Sequence, residues 1–185
     1  MAAKRSPYDF YPTPESAFEA LYNADRLNWC FMHKILEPCA GDGNLVRFIK
    51  AREPQKYVWA NELDKEHQPQ LETSGANHYS YNDFLTMPAS PEYYNMIITN
   101  PPFSLAQPIL EKVLDEWCPE RAVMLLRLNF LASQRRKEFW QKHLPSCIYV
   151  LSKRPSFTGS GTDSQDYAWF VWDKTKKYDN QILVI

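Results

Sequence analysis

At 185 residues, with 44% apolar and 15% aromatic side chains, the chain is long enough for one domain with a full hydrophobic core, and its composition excludes disorder. No stretch approaches a membrane span or a secretory signal, and Met1-Ala2-Ala3-Lys4-Arg5-Ser6-Pro7 turns polar at once, so a cytoplasmic protein without membrane association is expected. The net charge of −1 hides an asymmetry: residues 1–120 hold 10 Lys+Arg against 17 Asp+Glu, whereas residues 121–185 hold 11 against 5.

Strand and helix patterns alternate with short connections, which predicts a mostly parallel sheet covered on both faces. After a Pro-punctuated arm, Thr13 is placed to cap a helix and Pro14 to open it, with Glu15-to-Leu27 carrying Ala17, Phe18, Leu21 and Tyr22 on one stripe. Lys34-to-Glu37 reads as the first strand and Asn44-to-Arg52 as the helix after it. Tyr57-to-Asn61 is a second strand, followed by a short helical stretch to about Leu71 and a weaker strand over Ala76-to-Tyr81. Met96-to-Thr99 is a strong fourth strand, and Ser104-to-Trp117 an amphipathic helix with Ile109, Val113 and Leu114 inward. The run Ala122-to-Leu128 is almost wholly apolar, as a central strand requires. Gln134-to-Leu144 is helical, and Ile148-to-Leu151 and Tyr167-to-Trp172 form a closing hairpin around a loop that starts Phe157-Thr158-Gly159-Ser160.

Chemistry concentrates after the fourth strand, at Asn100-Pro101-Pro102-Phe103. A flat aromatic amine is a poor nucleophile because its lone pair is delocalised into the ring, and hydrogen-bond acceptors that take its hydrogens draw that pair out of plane. The Asn100 side-chain oxygen and the Pro101 carbonyl supply two acceptors. Pro102 stiffens the second by restricting the residue before it, and Phe103 offers a ring for the base to stack on. The bland alternative is a loop in which two prolines end a strand. The pattern suits methyl transfer to a planar nitrogen.

The first strand ends in Glu37-Pro38-Cys39-Ala40-Gly41-Asp42-Gly43, where glycines let a ligand approach the backbone at the crevice beyond the strand. The dinucleotide fingerprint needs a third glycine where this chain has Val46, so the turn favours a nucleoside without a pyrophosphate. Glu62, at the end of the second strand, is placed to hold both hydroxyls of a ribose, with Asp64 as the substitute. Asp83 reads either as an acceptor for an adenine amino group, with Phe84 beside the ring, or as an ordinary turn aspartate. The four cysteines lack C-x-x-C spacing and read as buried thiols, with neither a metal site nor a disulfide framework. The basic C-terminal third, with Arg135-Arg136-Lys137, Lys153-Arg154 and Lys174, Lys176 and Lys177, reads either as a surface that tracks phosphates or as a solvated face. Arg135 and Arg136 are the candidate phosphate contacts.

Together these residues resemble the S-adenosylmethionine-dependent amino-methyltransferases of DNA, most closely the small adenine N6-methyltransferases encoded by bacteriophages. The resemblance runs from Tyr11-Pro12-Thr13-Pro14 through Glu37-Pro38-Cys39-Ala40-Gly41-Asp42-Gly43, Glu62 and Asp83-Phe84 to Asn100-Pro101-Pro102-Phe103, and ends in Arg154-Pro155-Ser156-Phe157. It implies a Rossmann-like seven-stranded, mostly parallel α/β methyltransferase sheet with one antiparallel edge hairpin. It further implies S-adenosylmethionine as cofactor, Tyr11, Thr13 and Pro14 closing over the cofactor's methionine part, N6-methyladenine as product, and Phe157 near the target base. DNA, single-stranded or with the adenine flipped from a duplex, is the implied partner, in the host cytoplasm if the protein is phage-encoded. Such enzymes usually carry a sizeable target-recognition region. Here residues 84–99 alone separate the two motifs and residues 173–185 follow Trp172, so 1–185 is expected to be one catalytic domain with relaxed recognition of a few bases at most. Methylation of RNA adenine, cytosine N4, protein glutamine or a small molecule, and a silent binding module on the same fold, are the alternatives.

Overall fold

The computed structural model describes residues 9–90, 92–157, 161, 163–175 and 180–185. Lys176, Lys177 and most of the Gly/Ser loop after Phe157 lie outside them, as does the Met1-to-Pro7 segment. Helix α1 (Glu15–Trp29) is followed by β1 (Lys34–Glu37), α2 (Asn44–Arg52), β2 (Tyr57–Asn61), a 3-10 turn at Lys65–His67 that runs into α3 (Gln68–Leu71), β3 (His78–Ser80) and β4 (Met96–Thr99). Then come α4 (Ala106–Lys112), β5 (Arg121–Arg127), two 3-10 turns at Leu128–Leu131 and Gln134–Arg136, α5 (Lys137–Lys142), β6 (Cys147–Val150), β7 (Tyr167–Asp173) and β8 (Gln181–Val184).

The sheet order is β3-β2-β1-β4-β5-β7-β6-β8, parallel throughout except for β7, which runs against both of its neighbours. This is the α/β Rossmann-like methyltransferase fold. The expected hairpin is present as β6 and β7, but β7 is inserted between β5 and β6, and the expected seven strands are eight. The unforeseen β8 pairs in parallel with β6, Ile148 opposite Ile182. Its four residues are all exposed, so it carries none of the buried periodicity by which a strand announces itself in sequence.

Alternate residues of the central strands feed two separate cores. Ile35, Met96 and Ile98 pack with Phe18, Leu21, Trp29 and Ile49 on the face covered by α1 and α2. Leu36 and Ile97 pack with Ile109, Leu110, Phe139 and Phe170 under α4 and α5. Pro14 takes the N-cap position of α1, and no side chain caps the helix. Thr13 is buried instead, one correction to the sequence reading. A second lies in α4, which ends at Lys112 and widens into a π-helical turn over Val113–Trp117. That turn closes at Cys118, which is left-handed with φ 47°. All four cysteines are free, and of them only Cys147 is buried.

One buried polar cluster ties the layers together away from the site. Arg121, 1% exposed at the start of β5, is paired with Asp25 of α1 and, at 2.5 Å, with Asp173 of β7. The Tyr149 hydroxyl donates to Asp25 at 3.0 Å.

Because β1 lies between β2 and β4, the chain reverses its direction of progress across the sheet at the β1/β4 boundary. A crevice opens beyond the carboxyl ends of the strands at such a boundary. The turn Pro38–Gly43 and the Asn100–Phe103 segment leave these two neighbouring strands side by side.

Candidate functional site

A cavity of about 370 Å³ fills this crevice. Of the candidate residues, Tyr11, Thr13, Glu37, Pro38, Cys39, Ala40, Gly41, Glu62, Asp83, Phe84, Asn100 and Pro102 line it. Pro14, Gly43, Pro101, Phe103, Phe157, Arg135 and Arg136 do not.

The Gly turn is held by hydrogen bonds from the next strand's end. The Ala40 N–H donates to the Asn61 carbonyl at 2.8 Å, and the Gly41 N–H donates to Glu62 Oε2 at 2.6 Å. Glu62 Oε1 accepts from the Asp64 N–H at 2.8 Å, so this one carboxylate fixes two backbone segments while its half-exposed group lines the cavity. Asn61, fully buried and not foreseen, donates to the carbonyls of Pro38 and Asn82 at 3.0 Å and accepts from Ser80 Oγ at 2.8 Å, tying the ends of β1, β2 and β3 together. Asp83 Oδ1 accepts from the Leu85 N–H at 2.9 Å; it is both a turn aspartate and part of the cavity wall.

The two glycines have different duties. Gly41 sits at φ +54° with the Phe10 ring against it: a Cβ there would lie 2.6 Å from Phe10 Cε2. Gly43 sits at φ +86°, and its Cβ would lie 2.7 Å from Ser74 Cβ and 3.1 Å from Leu71 Cδ1. Gly41 therefore keeps the cavity wall close, whereas Gly43 serves the packing of α2 against the turn after α3.

Among the described residues, two polar atoms at the cavity are buried without a partner. Glu37 Oε2 is one, and burial pushes the Glu37 carboxyl well above the usual carboxylate range, assisted by the charges of Glu62 and Asp42. Asn100 Oδ1 is the other. The Asn100 amide is oriented by its own nitrogen, which donates to the Tyr11 carbonyl at 2.8 Å, so the orphan atom is the oxygen. The Pro101 carbonyl likewise receives no hydrogen bond among the described residues.

The segment Asp9–Thr13 forms a wall that sequence reading only half identified. Asp9, left-handed at φ 53°, accepts from the Ser104 N–H at 3.1 Å and from Ser104 Oγ at 2.7 Å, fastening this wall to the start of α4. Phe10 lies against His67, ring centroids 4.0 Å apart. The Tyr11 ring stacks on Phe103 at 5.5 Å and meets Phe157 edge-on at 5.8 Å. Phe157 itself is buried in the core and packs edge-on against Tyr167 at 5.0 Å, so it is not open to a base in this form. Arg136 is also committed: its Nη1 donates to the carbonyls of Phe130 and Ala132, and its guanidinium lies 4.3 Å over the Phe130 ring. Arg135 is exposed. Among the described residues no group of three or more His, Cys, Asp or Glu is placed to hold a metal ion, and no helix is long and apolar enough to cross a membrane.

Neither a family model nor a curated protein sequence matches the chain. Solved structures do. The candidate RNA methyltransferase PH1948 from Pyrococcus horikoshii superposes with a TM-score of 0.70 at 19% identity, over 93% of this chain and 89% of that one. The 23S rRNA methyltransferase ErmE gives 0.58 at 18% identity, over 88% and 68%. A dimethyladenosine transferase from Plasmodium falciparum gives 0.58 at 16% identity, over 88% of this chain and 62% of its own. At such identities the shared property is the fold, and the three structures share the Rossmann-like sheet on which this crevice is built.

Proposed function

We propose that this chain transfers the methyl group of S-adenosylmethionine to the exocyclic N6 amino group of adenine in DNA, as one catalytic domain with relaxed sequence recognition. The observation that carries the reading is the buried, unpartnered Asn100 Oδ1 at the cavity, next in the chain to a Pro101 carbonyl that receives no hydrogen bond among the described residues. Leaving a buried acceptor unsatisfied costs roughly 1–3 kcal/mol, and an amine that donates to it removes that cost.

The crevice suits the proposed cofactor. The unpartnered Glu37 Oε2, the carboxylate of Glu62 and the aromatic walls of Phe10 and Phe84 offer acceptors and stacking surface to a nucleoside, and the cavity is of ligand size. When bound, S-adenosylmethionine supplies an activated methyl on a sulfonium. Glu62 would take the ribose hydroxyls, Asp83 the adenine amino group, and Tyr11 and Thr13 would close the methionine end. Asn100 Oδ1 and the Pro101 carbonyl would each accept one hydrogen of the target amine, drawing its lone pair out of the ring plane toward the methyl. Fixed dipoles and orientation account for the benefit. The Tyr11 ring stands between Phe103 and Phe157, where a stacked base would go, so base entry requires that ring to turn aside. It can do so about its own side-chain bonds, because the contact with Asn100 is made by the Tyr11 backbone.

RNA adenine is the second reading. It is favoured by neighbours named as a 23S rRNA methyltransferase and a dimethyladenosine transferase. Transfer of labelled methyl to unmethylated duplex DNA, single-stranded DNA and RNA, with mass spectrometry of the nucleosides, decides between them. N6-methyladenine in DNA is the expected result. Product in RNA alone would select the second reading, and measurable cofactor binding without transfer to any nucleic acid would refute both in favour of a protein substrate or a silent binder. Asn100→Ala is expected to lose roughly 10²–10³-fold in turnover with cofactor affinity retained.

A further inference from the structure

Arg127, in the basic C-terminal third, reaches the Asn100–Phe103 segment. Arg127 ends β5, the strand beside β4, and with Thr99 paired to Met124 both strands leave the sheet at the same rim. Its guanidinium carbon lies 4.2 Å over the Phe103 ring and 5.9 Å over that of Tyr167. Arg127 Nε donates to the Tyr167 hydroxyl at 3.1 Å, and that hydroxyl donates to Asp163 Oδ2 at 2.9 Å. Its two terminal nitrogens have no hydrogen-bond partner among the described residues.

This geometry presents a fork. A guanidinium stacked on an aromatic face directs its N–H bonds outward around its own plane, and here only the inner edge is spent. The nearby acids do not claim the outer edge: Asp163 accepts from Tyr167 and from the Gln165 N–H, and Asp166 pairs with Arg154 at 2.7 Å. Other cations of this region are engaged elsewhere. Arg136 holds two carbonyls, Lys142 pairs with Asp115, and Lys174 donates to the Cys118 carbonyl.

We propose that Arg127 is the ligand of a phosphodiester flanking the target nucleotide, gripping its two non-bridging oxygens through the terminal nitrogens while its plane steadies Phe103. The inference rests on the proposed nucleic-acid substrate. It assigns the phosphate contact to a residue other than Arg135 or Arg136. Arg–phosphate forks combine charge with bidentate geometry, and they set the register of the strand rather than read its sequence.

The test is a cycle between Arg127→Gln and neutral linkages. Single-stranded oligodeoxynucleotides with one adenine carry a methylphosphonate at each nearby linkage in turn, and both methyl transfer and binding by fluorescence anisotropy are measured. In the wild type, one flanking neutral linkage is expected to lower kcat/KM by roughly 10- to 100-fold. R127Q should show the same loss on the native strand and no further loss at that linkage, with its salt slope reduced by about 0.7. A purely structural Arg127 would give losses that multiply at every linkage, and that result overturns the proposal, as does an R127Q that binds and turns over like the wild type. Should R127Q fail to fold, Arg127→Lys keeps the charge without the fork and is expected to retain only part of the coupling; full coupling in R127K would exclude the bidentate grip. If the wild type binds the strand but transfers no methyl, the functional reading falls, and the anisotropy cycle alone decides Arg127. Absence of binding to any strand overturns both.

Discussion

Gly41→Ala and Gly43→Ala should fail in different ways. Each substitution forces a side chain into the left-handed region, at φ +54° and +86°, which costs roughly 1–2 kcal/mol. At Gly43 the new methyl would also lie 2.7 Å from Ser74 Cβ and 3.1 Å from Leu71 Cδ1, and Ser74 Cβ, fixed to its backbone, cannot withdraw without moving the turn after α3 away from α2. Overpacking of this kind adds roughly 1–3 kcal/mol, for a total of about 2–5 kcal/mol. For a domain of this size each kcal/mol lowers Tm by about 2–4 °C, so a fall on the order of 5–20 °C is expected. At Gly41 the obstacle is the far edge of the Phe10 ring, 2.6 Å away, which can swing aside into the cavity. Gly41→Ala should therefore lose less Tm but weaken S-adenosylmethionine at least tenfold, while Gly43→Ala, assayed well below its melting point, should bind it as the wild type does. Calorimetric melting and isothermal titration of the two variants provide the comparison. A Gly43→Ala protein that melts with the wild type yet fails to bind would refute the division of labour and return both glycines to the ligand.

Glu37 gives a pH prediction. Its folded carboxyl titrates above the usual range because burial and the neighbouring Glu62 and Asp42 disfavour its charge. The folded state therefore binds a proton that the unfolded chain releases first, and stability present below the unfolded pKa is lost as pH rises toward the folded one. Glu37→Gln should melt above the ligand-free wild type at neutral pH, and the difference should vanish near pH 4; a gap independent of pH would refute the assignment. Arg121→Ala should destabilise by about 3–5 kcal/mol in urea unfolding, because it abandons Asp25 and Asp173 in the core. A loss under 1 kcal/mol would mean that water reaches the cluster. Replacement of Asn61 by Ala should loosen the ends of β1, β2 and β3 together, read as faster amide exchange at Ala40 and Asn82. Exchange unchanged at both would show that the strands hold those turns without it.

Local chemistry made much of this protein legible in its sequence. The strands Lys34–Glu37, Tyr57–Asn61 and Met96–Thr99 are legible with their bounds because each carries a buried apolar centre flanked by turn residues. The Gly turn and Asn100–Phe103 were recognisable because their residue types are unusual at strand ends, and parallel alternation of strand and helix brings such ends to one rim. Tertiary structure alone decided what each group faces. The sequence places Phe157 near a base and Arg136 near phosphate, but packing buries the first against Tyr11 and Tyr167 and commits the second to the carbonyls of Phe130 and Ala132. Nothing local distinguishes Arg127 from any other strand-end arginine, or Asn61 from any polar residue closing a strand. Their partners Phe103 and Tyr167, and Pro38 and Asn82, are distant in the chain and meet them only through the order in which the sheet stacks its strands. A sequence carries the period and the turn chemistry of its own neighbourhood; which side chains end as partners across the sheet is a property of the strand order.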